Sequence, residues 1–294
     1  MKPGPLTKTG SPGSPGSVGP AASAASADVV AREPVRLSRP RWWRELALLT
    51  PVYLLYSLIR NAVPERIDVA EANAHWILRV EDLVGLDVER WINAVAASHR
   101  VLAVPANYYY ATLHFTVTAS VLCWLYLAKP AHYLRARSVL LTMTVLALAG
   151  YYLFPLAPPR LTEGAGFVDT VRVFETWGNA ASAPVVSASN QYAAMPSMHV
   201  GWALWSGVLI AQLARRPLVR ALGILYPVAT LLVVVATGNH FVLDAVAALL
   251  LFVVSRVVVD AVVDGPVVDG PVVRPAWRRL PRGARPRRAG PDGP

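Results

Sequence analysis

Gly238-Asn239-His240-Phe241-Val242-Leu243-Asp244 runs straight into Ala245-Val246-Ala247-Ala248-Leu249-Leu250-Leu251-Phe252-Val253-Val254, so a histidine and an aspartate open an apolar run over about 240–259. A run of that length approaches the ~20 apolar residues that cross a bilayer as a helix. Four residues apart on a helix, His240 and Asp244 share a face, and the aspartate can accept a hydrogen bond from one imidazole nitrogen. That fixes the tautomer and leaves the other nitrogen as a base or nucleophile. An ionisable pair at the start of an apolar helix points to function by default, because an unpaired carboxylate one turn deeper is costly.

Working outward, similar runs lie at about 45–60, 105–128, 138–156, 200–214 and 219–237. The first is interrupted by Thr50-Pro51 and the fourth is short. The expected fold is therefore an all-α, integral-membrane six-helix bundle. Composition agrees: 54% of the 294 residues are hydrophobic and only 16% charged, with mean hydropathy +0.41. A soluble enzyme, a disulfide scaffold and a disordered chain are excluded on these grounds. The single cysteine, Cys123, sits inside an apolar run and can form no intramolecular disulfide.

The loops orient the spans. Arg39, Arg41 and Arg44 precede the first, Lys129, Arg135 and Arg137 separate the second and third, and Arg215, Arg216 and Arg220 separate the fourth and fifth. Because Lys and Arg collect on the cytoplasmic side, a multi-pass cell-membrane protein with both termini inside is expected. The division is 1–41 as a disordered Pro/Gly/Ser/Ala-rich tail, 42–261 as the six-span membrane catalytic domain, and 262–294 as a disordered Arg/Pro-rich cytoplasmic tail. Residues 1–19 lack the apolar core of a secretory signal. The seven arginines from Arg274 to Arg288 are interleaved with only Trp277, which reads as a solvated tail facing anionic headgroups, with no nucleic-acid partner. Between the first two spans, Ala70 to Ser98 has apolar residues at helical spacing, giving amphipathic helices that lie on the outer surface or cover the mouth of the bundle.

Three clusters then fall on one membrane side, the outer one: Phe154-Pro155-Leu156-Ala157-Pro158-Pro159-Arg160, Ala194-Met195-Pro196-Ser197-Met198-His199, and the Gly238–Asp244 stretch. Pro196 suits a first helical turn, which would leave amides near Ser197 and Met198 free for an anion. Arg160 supplies a charge with a planar fork of donors. The catalytic candidates are His199, His240 and Asp244, with Arg160 and Ser197 as phosphate-binding candidates. His75, His99, His114 and His132 are read as interfacial or hydrogen-bonded, Tyr108, Tyr109 and Tyr110 as an aromatic belt, and Arg160 has an interfacial anchor as its alternative role. No HExxH or Cys pair accompanies the histidines, so neither a metal nor a cofactor is expected.

These residues resemble the membrane phosphatidic acid phosphatase type 2 (PAP2) superfamily. Its Pro-Ser-Gly-His motif is similar to Pro196-Ser197-Met198-His199, and its Gly-x-His-x3-Asp spacing to Gly238, His240 and Asp244. The Met198 position, the Ala157-Pro158-Pro159-Arg160 segment and Asn239-His240-Phe241 resemble the inositol phosphorylceramide synthase-like branch, the inositolphosphotransferases. The resemblance implies a six-helix fold in which His240 attacks phosphorus, Asp244 orients it, and His199 protonates the leaving oxygen. It implies a phosphoric ester hydrolase or phosphotransferase of lipid metabolism, acting on a lipid phosphate or phospholipid, with transfer slightly favoured over hydrolysis. Two of the family's cations have no counterpart, since Val233-Val234 replaces Ser-Arg and Leu153 stands where a lysine would. The missing charge is expected from Arg160, helix amides, Arg172 or a residue not identifiable by pattern. A non-catalytic transport or lipid-binding bundle using the histidines as a proton relay is the alternative; it would place charges through several spans, and they cluster instead at the ends.

Overall fold

The computed structural model describes residues 40–62, 66–86, 88–176 and 190–264. The expected tails lie outside these residues except at their inner edges. Among the described residues the chain is all-helical, and Leu156 and Ala193 form an isolated bridge. The helices are α1 (Trp42–Ala62), α2 (Ile67–Leu83), α3 (Glu89–Ser98), α4 (Arg100–Ala128), α5 (Pro130–Leu153), α6 (Thr170–Val173), α7 (Met198–Leu213), α8 (Pro217–Ala236) and α9 (Val242–Asp264). Pro130 and Pro217 sit in the first turns of α5 and α8, where a missing amide costs nothing.

Among the described residues, four helices are long and apolar enough to cross a membrane: α4, α5, α8, and α9 over Val242–Val262. Their length and composition mark a membrane protein. At 16 residues, α7 is apolar but shorter. The remaining expected span, α1, is continuous through Pro51 rather than broken there. It carries Arg44 and Glu45, and the second is buried because α5 receives it: Arg137 donates to both its oxygens at 2.7 and 2.8 Å, and the Tyr133 hydroxyl donates at 2.7 Å.

The helices pack around Leu125 of α4, Met143 and Ala147 of α5, Trp205 of α7 and Phe252 of α9, while Leu222, Leu225, Leu250 and Val254 face outward. An apolar exterior over a packed interior is the arrangement a bilayer favours. α7 and α8 meet most closely: a Cβ on Gly207 would stand 2.4 Å from the Gly223 carbonyl oxygen and 2.9 Å from Pro227 Cδ. Small residues at such a crossing let two backbones approach. Gly150 of α5 does the same for the segment before α7, because a Cβ there would meet Pro196 Cδ at 2.6 Å.

The amphipathic region resolves into α2 and α3. Their buried faces include Asn93 of α3 and, on α2, Ala70, Ala74 and Ile77, which cluster with Leu156, Ala157, Ala194 and Phe241 from the segments that connect the longer helices. Asn93 is fully buried and donates to the carbonyls of Val168 (3.1 Å) and Ala236 (3.0 Å) while accepting from Val168 N (2.7 Å). The pair is therefore fastened across one end of the longer helices.

Candidate active site

His240 precedes α9, and Asp244 lies in that helix's first turn. The turn that delivers the histidine needs glycine at 238. Gly238 has φ +66, and a Cβ there would come within 3.2 Å of Arg160 Cβ and 3.3 Å of Asn93 Nδ2. Its carbonyl accepts from Arg160 N at 2.9 Å, which ties the arginine's backbone to the histidine turn.

Asp244 is fully buried, and its Oδ2 accepts from Phe241 N and from His240 Nδ1, both at 3.1 Å. With a carboxylate as partner, Nδ1 bears the proton, so His240 Nε2 carries the lone pair. Nε2 in turn lies 3.3 Å from His199 Nδ1, which donates to it. The His199 ring is held by stacking on Tyr110, with centroids 4.2 Å apart and planes at 23°, and by His114 at 4.1 Å. Tyr110 and His114 are one turn apart on α4, and His114 Nδ1 bonds the Tyr110 carbonyl at 3.1 Å. Tyr110 is thus a wall of the site rather than part of an aromatic belt. His114 keeps the hydrogen-bonded role expected of it, yet it supports a candidate catalytic residue.

Ser197 is placed differently from a phosphate contact. It is fully buried as the N-cap of α7, its Oγ accepts from Val200 N at 3.4 Å, and its amide donates to the Asp244 carbonyl at 3.1 Å. Pro196 precedes that cap and so lies outside the helix, leaving Ser197 to tie the start of α7 to α9.

His199, His240 and Arg160 line one cavity of about 100 Å3, together with Arg60, Tyr110 and Gln191. Arg160 is clamped by acceptors: Nε donates to Asn239 Oδ1 (2.9 Å), Nη1 to Asp169 Oδ2 (3.1 Å) and Nη2 to Gln191 Oε1 (2.9 Å). Arg60, at the end of α1, enters from the other side, where Nη2 donates to the Asn190 carbonyl (3.1 Å) and the guanidinium lies 6.0 Å from the Tyr151 ring centroid. Sequence reasoning missed Arg60. Arg172 is exposed and absent from the cavity wall. Two guanidinium groups, an oriented imidazole and a second imidazole beside it therefore line one cavity, the set of groups that an anion site with a nucleophile and an acid would require.

Two more missed residues position α9. Glu81 of α2 and Glu89 of α3 are buried, and they accept from the amides of Leu243 (2.9 Å) and Val242 respectively. The first-turn amides beside the histidine are thus held by carboxylates at the positive end of a helix. Burial pushes both carboxyls up, and the Glu81 charge raises Glu89 further. The second oxygen of Glu81 receives no N–H among the described residues, and a proton shared with Glu89 is what would satisfy it.

A family model described as the PAP2 superfamily matches residues 75–258, which is more than half of the chain and runs from the middle of α2 into α9, short of its last turns. No curated protein and no solved structure matches.

Proposed function

The chain belongs to the PAP2 superfamily, whose membership points to a lipid-phosphatase type of function, and on that premise we propose a phosphoryl-transfer enzyme using His240 as nucleophile. The observation that carries this is the relay Asp244–His240–His199 at the cavity shared with Arg60 and Arg160. In the first half-reaction His240 Nε2 forms a bond to phosphorus of a lipid phosphate or phospholipid. The bond from phosphorus to the leaving oxygen breaks, and His199, which enters the step as an imidazolium, supplies the Nδ1 proton that oxygen takes and is left as neutral imidazole. In the second, an acceptor hydroxyl gives its proton to His199 and its oxygen attacks phosphorus, breaking the P–N bond. Asp244 holds the imidazolium in place, and the guanidiniums offset charge on the transferring oxygens. Because His199 and His240 touch in the present geometry, substrate must part the two rings before attack.

The acceptor in this proposal is a hydroxyl rather than water, and the support is the resemblance of the segments around Arg160 and His240 to the inositol phosphorylceramide synthase-like branch. The membrane arrangement goes with it: α1, α4, α5, α7, α8 and α9 as six spans, both termini inside the cell membrane and the histidines on the outer face. Support for that comes from the Lys and Arg residues of the α4–α5 and α7–α8 connections, which share one end. The test is a nanodisc assay with phosphate-labelled lipids, with and without inositol or ceramide-type acceptors. A labelled lipid that forms only with acceptor is the expected result. Free inorganic phosphate alone would make the enzyme a hydrolase, and binding without turnover would favour the transport or lipid-binding alternative.

A further inference from the structure

The same helices carry a second concavity at their other end. A groove of about 510 Å3 lies among the first turns of α5 and the last turns of α7 and α9. About 18 Å of helix separates Arg256 in this groove from Asp244 at the histidines, at 1.5 Å per residue. The groove has two kinds of wall. Trp205, Val208 and Phe252 make its apolar depth, and Arg135, Arg256 and His132 stand at its rim. Trp205 adds no polar demand, because its Nε1 already donates to the Ala136 carbonyl at 2.8 Å.

The rim is cationic. Arg135 is paired with Asp260 through Nε at 2.8 Å and Nη2 at 2.6 Å, which engages the one carboxylate lining the groove. Arg256 is half-buried, one turn before Asp260, and no carboxylate among the described residues pairs with it. A guanidinium held beside an apolar wall with no anion of its own is complementary to an amphiphile with a negative head.

We propose that this groove binds an anionic phospholipid from the leaflet at this end. Its phosphodiester sits against Arg256 and Arg135, and an acyl chain lies along Val208, Trp205 and Phe252. Basic clefts between membrane helices hold acidic headgroups in this way. Lys129, Arg215 and Arg216 flank the same end and raise the local concentration of anionic lipid. A zwitterionic lipid would fill the apolar depth equally well but bring no net charge to Arg256. The chain's own C-terminal residues are a poor occupant, since the arginines from Arg274 to Arg288 carry the same charge as the rim. Function at the histidines is not needed for this site, so its failure would leave the catalytic reading untouched.

The test is native mass spectrometry of the delipidated full-length protein, titrated with phosphatidylglycerol and phosphatidylcholine of identical acyl chains. Phosphatidylglycerol is expected to bind in preference, and Arg256→Gln to lower its affinity about fivefold with phosphatidylcholine unchanged, the effect of one basic residue at an anionic headgroup. In parallel, phosphatidylglycerol bearing a photoreactive acyl chain is expected to label wild-type peptides containing Trp205 or Phe252. That second measurement needs no variant to fold. Equal binding of the two lipids overturns the proposal. So does labelling that falls only on other peptides, which would give the groove to the C-terminal residues or to a second copy of the chain.

Discussion

At the histidine end of α7 and α9 the polar side chains are buried and bonded to one another, whereas at the arginine end they ring an open groove and one ion pair is half in solvent. Asp244 is fully buried with two donors, but Arg135 and Asp260 keep 44% and 34% of their side chains exposed. Buried groups bonded to one another hold one geometry, even though Asp244 Oδ1 receives no donor among the described residues, whereas an exposed ion pair contributes little to stability. One set of helices therefore offers a fixed site at one end and an adaptable one at the other.

Substitutions can break or sharpen that contrast. The largest effect is expected for His240→Ala, with turnover falling on the order of 10^5-fold, as when a nucleophile is removed from a concerted relay. Asp244→Asn is expected to cost about 10^4-fold by misassigning the tautomer. Single-turnover rates on nanodisc-embedded variants check both. Next come the guanidiniums: Arg60→Ala and Arg160→Ala should each reduce kcat/KM by about 10^2-fold, the size expected for one charge-stabilising donor. An unchanged rate in Arg60→Ala would leave Arg160 as the phosphate cation.

Much of the fixed end was legible in the chain. His240 and Asp244 are four residues apart, and local spacing alone puts them on one face. The same spacing brings Tyr110 and His114 together on α4, but nothing in sequence says that this face meets His199. Arg60 lies 100 residues before Arg160, and only the path of α1 brings the two to one cavity. Its signal is an arginine at the end of the first apolar run, on the side where the loop charges lead one to expect few cations. Glu81 and Glu89 read as the polar side of amphipathic helices because carboxylates normally face water. Their burial is intelligible only with the α9 amides as donors. The Pro196-Ser197-Met198-His199 pattern suggests a phosphate contact for Ser197, and the cap geometry gives its hydroxyl to Val200 N at the start of α7. The extent of α1 was obscured by Pro51, which the helix accommodates.

A smaller effect separates the carboxyl pair from the relay. The folded protein keeps a proton on Glu89 up to about 9, whereas the unfolded chain releases it near the ordinary glutamate value. The contribution to docking of α2 and α3 is complete below that ordinary value and lost as pH rises through the folded one. Limited proteolysis within α3 should accelerate as pH rises from about 5 to about 9. Glu89→Gln, which keeps an acceptor for Val242 N without the charge, should flatten the profile. A profile identical to wild type would mean that the pair does not share a proton. Smallest of all, Asp260→Asn at the other end should change stability by no more than about 1 kcal/mol, as for an exposed ion pair, measured by thermal unfolding.

The central claim is a covalent bond between phosphorus and His240, and rapid-quench labelling tests it most directly. Wild-type protein mixed with a phosphate-labelled lipid and denatured in alkali should retain label that is lost in acid, mapping to the peptide that contains His240. His240→Ala should retain none. Equal labelling of the variant, or turnover in wild type with no protein-bound label at any quench time, would contradict the account.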